Sequence, residues 1–235
     1  MNAAEAVPGT RPAATVVLLR GREAEILLLK RSRQMGFMAN LWVFPGGRVD
    51  AEDPSASAAA IRETWEEAGV LLSDPPVTAG APEAARNALP SVERWLALTP
   101  FSRWVTPARE PKRFDTLFFA ASVPTGIEAV PDASEVTEAA WLTAADALAR
   151  HEAGALALAP PTWWTLAVLA ALGTPERIAT WLAERAQAVA PVCPELGFEA
   201  GKLVVRVPPE HAPLGPFGRP GAGLALLDGR WTVVP

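Results

Sequence analysis

Apolar and polar positions alternate in blocks that predict a small set of elements. Residues 15–20 and 25–30 are two runs rich in Val, Leu and Ile, separated by Gly21, Arg22, Glu23 and Ala24. Such runs, broken by a short polar step, predict a strand hairpin. Residues 41–44 are a third short strand candidate, ended by Pro45-Gly46-Gly47, where we expect a loop that backbone or ligand can approach closely. Asp53 then predicts a helix cap with Pro54 in the first position; apolar positions recur through Ala68 and Gly69 supplies the stop. Residues 71–88, rich in Pro and Ala, suggest a loop with a helical turn. Residues 114–123 read as a buried strand and 139–142 as another, followed by a helix that Thr143 caps with Asp146 three residues on. Two more helices follow, one opening near Pro161 and one at Thr174-Pro175. A Pro/Gly-rich tail ends in a hairpin over 224–234 that turns at Asp228-Gly229. Strands alternating with helices imply a layered α/β fold.

One apolar stretch needs separate weighing. Residues 153–172 are about as long as a membrane span, but Pro160 and Pro161 interrupt them and no basic flank follows. We therefore expect a loop and a buried helix, with no membrane association. At 235 residues the chain suits one core with additions: residues 1–150 as the core and 151–235 as an extension packed on it. Half of the residues are apolar and 20% are charged, enough for a sizeable interior. A net charge of -5 without a Lys/Arg cluster argues against nucleic acid as partner. The N-terminus shows no export pattern and the one cysteine, Cys193, permits no internal disulfide, so we expect a cytoplasmic protein. Nine tryptophans and no tyrosine point to heavy apolar packing or to a homodimer face.

The chemistry concentrates in residues 46–70, GGRVDAEDPSASAAAIRETWEEAGV. Glu63, Glu66 and Glu67 stand at i, i+3 and i+4, so a helix presents them on one side beside Arg62, while Ala58, Ile61, Trp65 and Ala68 fall opposite. Three carboxylates so close repel one another and call for a cation. Hard divalent ions such as Mg²⁺ take oxygen ligands from a few carboxylates together with substrate phosphates. The bland alternative is a solvated face with Arg62 paired to Glu66; the glycine pair upstream makes the pattern more specific than that.

These residues resemble the Nudix signature, in which a glycine, five residues, a glutamate and seven residues precede Arg-Glu-apolar-x-Glu-Glu-x-Gly-apolar. Arg62 to Val70 matches the second half, with Thr64 at the first apolar position. In the first half, Gly47 is followed after five residues by Asp53 in place of Glu, and eight residues separate Asp53 from Arg62. The extra residue casts doubt on Asp53 more than on the helix. The resemblance implies an α/β/α sandwich around a mixed sheet with a helical C-terminal extension. It further implies hydrolysis of a phosphoanhydride in a nucleoside diphosphate derivative, with Mg²⁺ (or Mn²⁺) held by Glu63, Glu66, Glu67 and Gly47.

In the same reading Arg62, Glu63 and Glu66 are catalytic, and Glu110, Glu135 and Glu138 are alternative bases outside the helix. Arg31, Arg33 and Arg113 are candidates to grip phosphate, and Trp42, Trp104 and Phe114 to stack on a base; Arg31, Arg113 and Phe114 are the preferred substrate contacts. Residues 27–47 and 113–121 are similar to coenzyme A and acyl-coenzyme A diphosphatases, although Gly36 and Asn40 depart from their pattern. Coenzyme A or an acyl-coenzyme A is thus the first substrate expectation. ADP-ribose or NADH is the alternative, and a non-catalytic nucleotide-binding module is the reading from another class. His151 and His211 lack metal-ligand spacing.

Overall fold

The computed structural model describes residues 6–35, 38–74, 76–78, 96–186, 189–207 and 223–234. The hairpin expected near the N-terminus is β1 (Arg11–Arg20) and β2 (Glu25–Arg31), antiparallel with Leu19 opposite Ile26. β1 begins four residues earlier than the apolar run because it has a second partner. It runs parallel to β8 (Phe114–Val123) along its whole length, from Arg11 opposite Phe114 to Arg20 opposite Val123. A strand flanked on both sides is buried on both faces, which is why the run is continuously apolar.

Five further strands complete this sheet. β3 (Trp42–Val43) and β9 (Val136–Leu142) pair with β2 from opposite sides, and β7 (Thr99–Val105) pairs with β8. β10 (Pro191–Val192) then runs parallel to β7 at the edge. β4 (Gly46–Arg48) pairs with β1, so Gly46 and Gly47 open a short strand where we expected only a loop. Gly46 permits the ladder by removing a side chain that would strike β1. Residues 71–88 differ too: β5 (Val70–Leu71) and β6 (Val77–Thr78) form a two-stranded ladder, and residues 79–95 lie outside the described set.

The sheet separates two cores, as period-two alternation requires. Val16, Leu18, Leu27 and Leu29 point toward helix α1 (Ala56–Ala68), where Ile61, Trp65 and Ala68 meet them. Val17, Leu19, Ile26 and Leu28 point the other way, toward α2 (Ala144–Glu152), α3 (Pro160–Leu172) and α4 (Pro175–Arg185). The result is a mixed α/β sandwich with helices on both faces of the eight-stranded sheet. The α2 and α4 caps are those expected: Thr143 Oγ1 accepts from Asp146 N and donates to Asp146 Oδ2, and Thr174 accepts from Arg177 N. α1 differs. Its cap is Ser55, which accepts from Ala58 N at 3.1 Å, because the Asp53 carboxylate is drawn to an arginine instead. Among the described residues no helix is long and apolar enough to cross a membrane.

Beyond α4 the chain forms a second, four-stranded sheet of β11 (Glu195–Glu199), β12 (Lys202–Arg206), β13 (Gly223–Leu227) and β14 (Arg230–Val234). The hairpin expected at Asp228-Gly229 is β13–β14, with Leu227 opposite Arg230; β11 and β12 were hidden by the surrounding Pro and Gly. A buried histidine ties this sheet to α2. His151 is 1% exposed. Its Nδ1 donates to Leu156 O at 2.8 Å and its Nε2 accepts from Trp231 N at 2.8 Å, while Trp231 Nε1 donates to Leu158 O. These roles fix the neutral ring.

Burial holds His151 below its ordinary value of 6.5, against the Leu156 carbonyl and Glu152, which favour the proton; Arg230 adds to the lowering. The unfolded chain therefore takes up this proton first. Stability is complete above pH 6.5 and declines as the pH falls below it, levelling off beneath the folded-state value. We expect His151→Leu to strand the Leu156 carbonyl and the Trp231 amide, to cost roughly 2–4 kcal/mol in denaturant unfolding, and to remove that acid-side decline. A variant with an unchanged unfolding midpoint would refute the assignment.

Candidate active site

The local sequence forces β4 against both β1 and α1. Gly46 has φ +147°, and a Cβ there would lie 2.3 Å from Ala14 O and 2.6 Å from Thr15 Cα, distances no side chain tolerates. A Cβ at Gly47 would lie 2.5 Å from Glu63 Cδ. The first glycine thus admits the backbone to the sheet and the second admits the Glu63 carboxylate onto that backbone. Pro45 O accepts from Val16 N at 3.0 Å, and Gly46 N donates to Glu67 Oε2 at 3.0 Å. Two adjacent residues of β4 therefore face two successive turns of α1.

The three glutamates expected on one side of the helix enter three different environments. Glu67 is 4% exposed, and Arg31 Nη1 lies 3.8 Å from its Oε1, beyond hydrogen-bond reach. Burial pushes its pKa up to about 8; the Gly46 amide and Arg31 pull it down, and Glu63 and Glu135 push it further up. Glu63 rises to about 7 for the same leading reason, burial, opposed by Arg62 and reinforced by Glu66 and Glu135. Glu66 is more open and pairs with Arg62 Nη1 at 2.9 Å. Among the described residues no three His, Cys, Asp or Glu side chains converge at metal-ligand spacing. The acidic centre is the buried Glu67 with the half-buried Glu63 beside it, and Glu66 on its flank.

Arg62 organises that flank. Its Nε and Nη2 donate to both oxygens of Asp53 at 3.0 and 2.9 Å, Nη2 also donates to Arg48 O, and Nη1 donates to Glu63 Oε1 and Glu66 Oε2. The fork on Asp53 raises the Arg62 pKa, with burial opposing and Glu63, Asp53 and Glu66 adding their fields. Asp53 is held below its ordinary value: burial alone would raise it, but the bonds from Arg62 and from Asp50 N outweigh that. The doubt that the extra residue cast on Asp53 is therefore answered by a contact. Bidentate Arg–carboxylate pairs select geometry as well as charge, and an eight-residue separation still lets the two side chains meet. Thr64 resolves the other departure; it is fully buried and donates its hydroxyl to Ala60 O at 2.6 Å.

The remaining candidates divide. Arg31 stands beside Glu67. Arg113 belongs to the β7–β8 turn, where Nε donates to Thr106 O and Nη1 approaches Gly9, and Phe114 N donates to Thr106 Oγ1; none of these contacts joins them to the acidic pair. Trp42 and Trp104 sit in the core on the opposite face of the sheet. Of the outside glutamates, Glu138 is paired with Lys30 at 2.6 Å. Glu110 lies in the turn that it closes by donating its amide to Pro107 O. Glu135 alone acts electrostatically on both Glu63 and Glu67. Its loop is fixed to the end of α1, with Val130 N donating to Ala68 O and Asp132 N to Glu67 O. Cys193 is exposed, and partial burial followed by Asp115 raises its thiol pKa, the reverse of an activated nucleophile. Gly36 and His211 lie outside the described residues.

A model of the NUDIX domain matches residues 9–160. The chain is 29% identical over 205 residues to putative nudix hydrolase 7 of Caenorhabditis elegans, an alignment covering 79% of this chain and 68% of that protein. It is 25% identical over 228 residues to the acyl-coenzyme A diphosphatase NUDT19 of Xenopus laevis, covering 62% of this chain and 59% of that longer relative. A crystal structure of a NUDIX hydrolase from Alicyclobacillus acidocaldarius superposes with TM-score 0.62 at 26% identity, over 79% of this chain and 99% of the other. The glycine strand, the arginine-organised acidic helix, the shared sandwich and the match over residues 9–160 agree, and the chain belongs to the Nudix hydrolase family.

Proposed function

We propose that this Nudix hydrolase cleaves the phosphoanhydride of a nucleoside diphosphate derivative with a divalent metal ion, and that coenzyme A or an acyl-coenzyme A is its first substrate. The observation that carries the reading is the packing of Glu63 and Glu67 against the β4 glycines, with Glu63 on Gly47 and Glu67 bonded to Gly46 N, where burial, opposed only in part by Arg62 and Arg31, raises both carboxyls. Two carboxyls that burial leaves substantially protonated at pH 7 would be held ionised by a hard divalent cation, which takes oxygen ligands of this kind. The substrate class rests on the residue pattern upstream of the glycine strand and on the likeness to acyl-coenzyme A diphosphatases.

In this mechanism Glu63 and Glu67 would hold the ion, and Glu66 and the backbone of Gly47 would supply further oxygen ligands. A bound Mg²⁺ or Mn²⁺ neutralises diphosphate charge and acidifies water. Arg62 keeps Glu63 and Glu66 oriented and is itself locked by Asp53, so that no side chain must reorganise when the substrate arrives. Arg31, beside Glu67, supplies a guanidinium for a phosphate oxygen. Glu135 is exposed, within electrostatic reach of the pair and borne on a loop bonded to α1; it accepts the proton of the attacking water. Glu110 and Glu138 have no such placement. Arg113 and Phe114, at the β7–β8 turn, contact more distal parts of an extended substrate.

Two outcomes check this. With Mg²⁺ and a panel of coenzyme A, acyl-coenzyme A, ADP-ribose and NADH, mass analysis should find cleavage fastest for the coenzyme A compounds, and Glu67→Gln should lower turnover at least about 100-fold. Equal rates for variant and parent would sink the metal assignment, and a preference for ADP-ribose would move the substrate.

The second outcome concerns pH. A carboxyl whose folded-state pKa is raised keeps its proton in the fold longer than in the unfolded chain. Stability without metal therefore falls as the pH rises from the ordinary 4.5 through about 7 for Glu63 and about 8 for Glu67. Mg²⁺ should reverse this loss, raising the melting temperature more at pH 8 than at pH 6. A shift of equal size at both values would contradict it.

A further inference from the structure

On the sheet face away from the acidic pair, α3, α4 and β7 frame a cleft whose composition the proposed hydrolysis does not use. Its walls include Phe101, Trp104, Trp164, Trp181 and Val168, and among the described residues Arg185 is its one charged lining residue. The aromatic rings brace one another: Trp104 meets Trp164 edge-on at 6.1 Å, and Phe101 meets Trp181 at 5.6 Å. Arg185 stands one turn after Trp181 on α4, and its guanidinium carbon lies 4.6 Å from the Trp181 ring centroid. That stacking occupies the flat face of the guanidinium and leaves its N–H edge unused. Nε is buried and, among the described residues, has no hydrogen-bond partner.

An arginine in that position is unusual. Burial lowers its pKa, and only Glu184, its chain neighbour, offsets this through its field. A buried N–H left unpaired costs about 1–3 kcal/mol. The arginines elsewhere in this fold show the usual remedy: Arg62 forks onto Asp53 and Arg103 onto Asp115. Among the described residues Arg185 has an aromatic bed and no carboxylate bonded to it, which is half of a recognition site for an oxyanion with an apolar body.

We propose that this cleft is a second binding site, separate from the acidic pair, for a small apolar carboxylate. The carboxylate takes the Nε edge of Arg185 from outside the chain, where Asp53 and Asp115 serve the other two arginines from within. The apolar body lies against Trp181 and Phe101. A single cation without a second basic neighbour matches a monoanion better than a phosphate dianion, which would carry surplus charge into an apolar wall. The cleft's interior has room for about one water-sized group, so the head group fills it and the body lies toward the mouth. This inference does not depend on which substrate the acidic pair hydrolyses.

The test uses the full chain labelled with ¹⁵N, hydrocinnamate as the probe and hydrocinnamide as its neutral twin. Indole N–H resonances of Trp104, Trp164 and Trp181, assigned by single Trp→Phe variants, should shift saturably with hydrocinnamate, while that of Trp65 on α1 stays in place. The carboxylate should bind at least about tenfold more tightly than the amide, a difference of about 1.4 kcal/mol, and Arg185→Gln should erase the preference. Absence of saturable shifts, equal binding of acid and amide, or an undiminished preference in the variant would each overturn the site and leave Arg185 Nε to water alone. The acid–amide comparison on the unaltered protein decides the matter even if the variant does not fold.

Discussion

The candidate active site depends on one close approach: a glycine pair that lets β4 lie between β1 and α1. Gly46 has no room for a Cβ on the β1 side and Gly47 has none on the α1 side. Any side chain at either position would push strand and helix apart, and the Gly46 N–H to Glu67 bond of 3.0 Å would be lost with the contact. The strand also sets the depth of the acidic residues. Because Glu63 packs on the Gly47 backbone, its carboxylate is removed from solvent and its repulsion with Glu67 is no longer screened by water. The same geometry that builds the fold thus creates the unmet demand for positive charge.

Arg62 offsets only part of that demand, and the reason is geometric. A guanidinium has one edge that matches a carboxylate bidentately, and here Asp53 takes it through Nε and Nη2. What remains, Nη1, is divided between Glu63 and Glu66, so Arg62 gives Glu63 a shared contact only. Arg31 stands 3.8 Å from Glu67, near enough to lower its field and too far to bond. The arginines orient the carboxylates without neutralising them, which is the condition a cation site requires if its ligands are to stay charged only when the ion is bound.

Much of this was legible in the residues, for a physical reason that also marks where legibility ended. Helical spacing placed Glu63, Glu66 and Glu67 together, and the αL conformation of Gly69, φ +63°, ended the helix where a glycine was expected. Periodicity reports direction from a helix axis; it does not report depth. Glu67 was therefore grouped with Glu66 as one acidic face, whereas the packing of β4 buries the first and leaves the second at the flank. Asp53 was assigned to a cap by local logic, but a long-range bidentate partner outbid the backbone amides and Ser55 took the cap. Pairing between distant segments explains the other differences. β4 exists because β1 offers it an edge, and Arg113 went to Thr106 because the β7–β8 turn closes there, a closure that no local pattern encodes.

The two faces of the sheet treat buried polar groups in opposite ways. On the α1 side the buried carboxyls are crowded and short of countercharge. On the other side His151 is saturated, with both ring nitrogens bonded and the second sheet tied to α2 through Trp231. Saturation makes a group structural, because any change of its protonation breaks an existing bond. Incomplete compensation leaves a group able to take an external partner, because binding then removes a cost already present in the fold. By that criterion Glu63 and Glu67 on one face and Arg185 on the other are the proposed places for an external partner, and His151, more deeply buried than any of them, is a place where the fold stays closed.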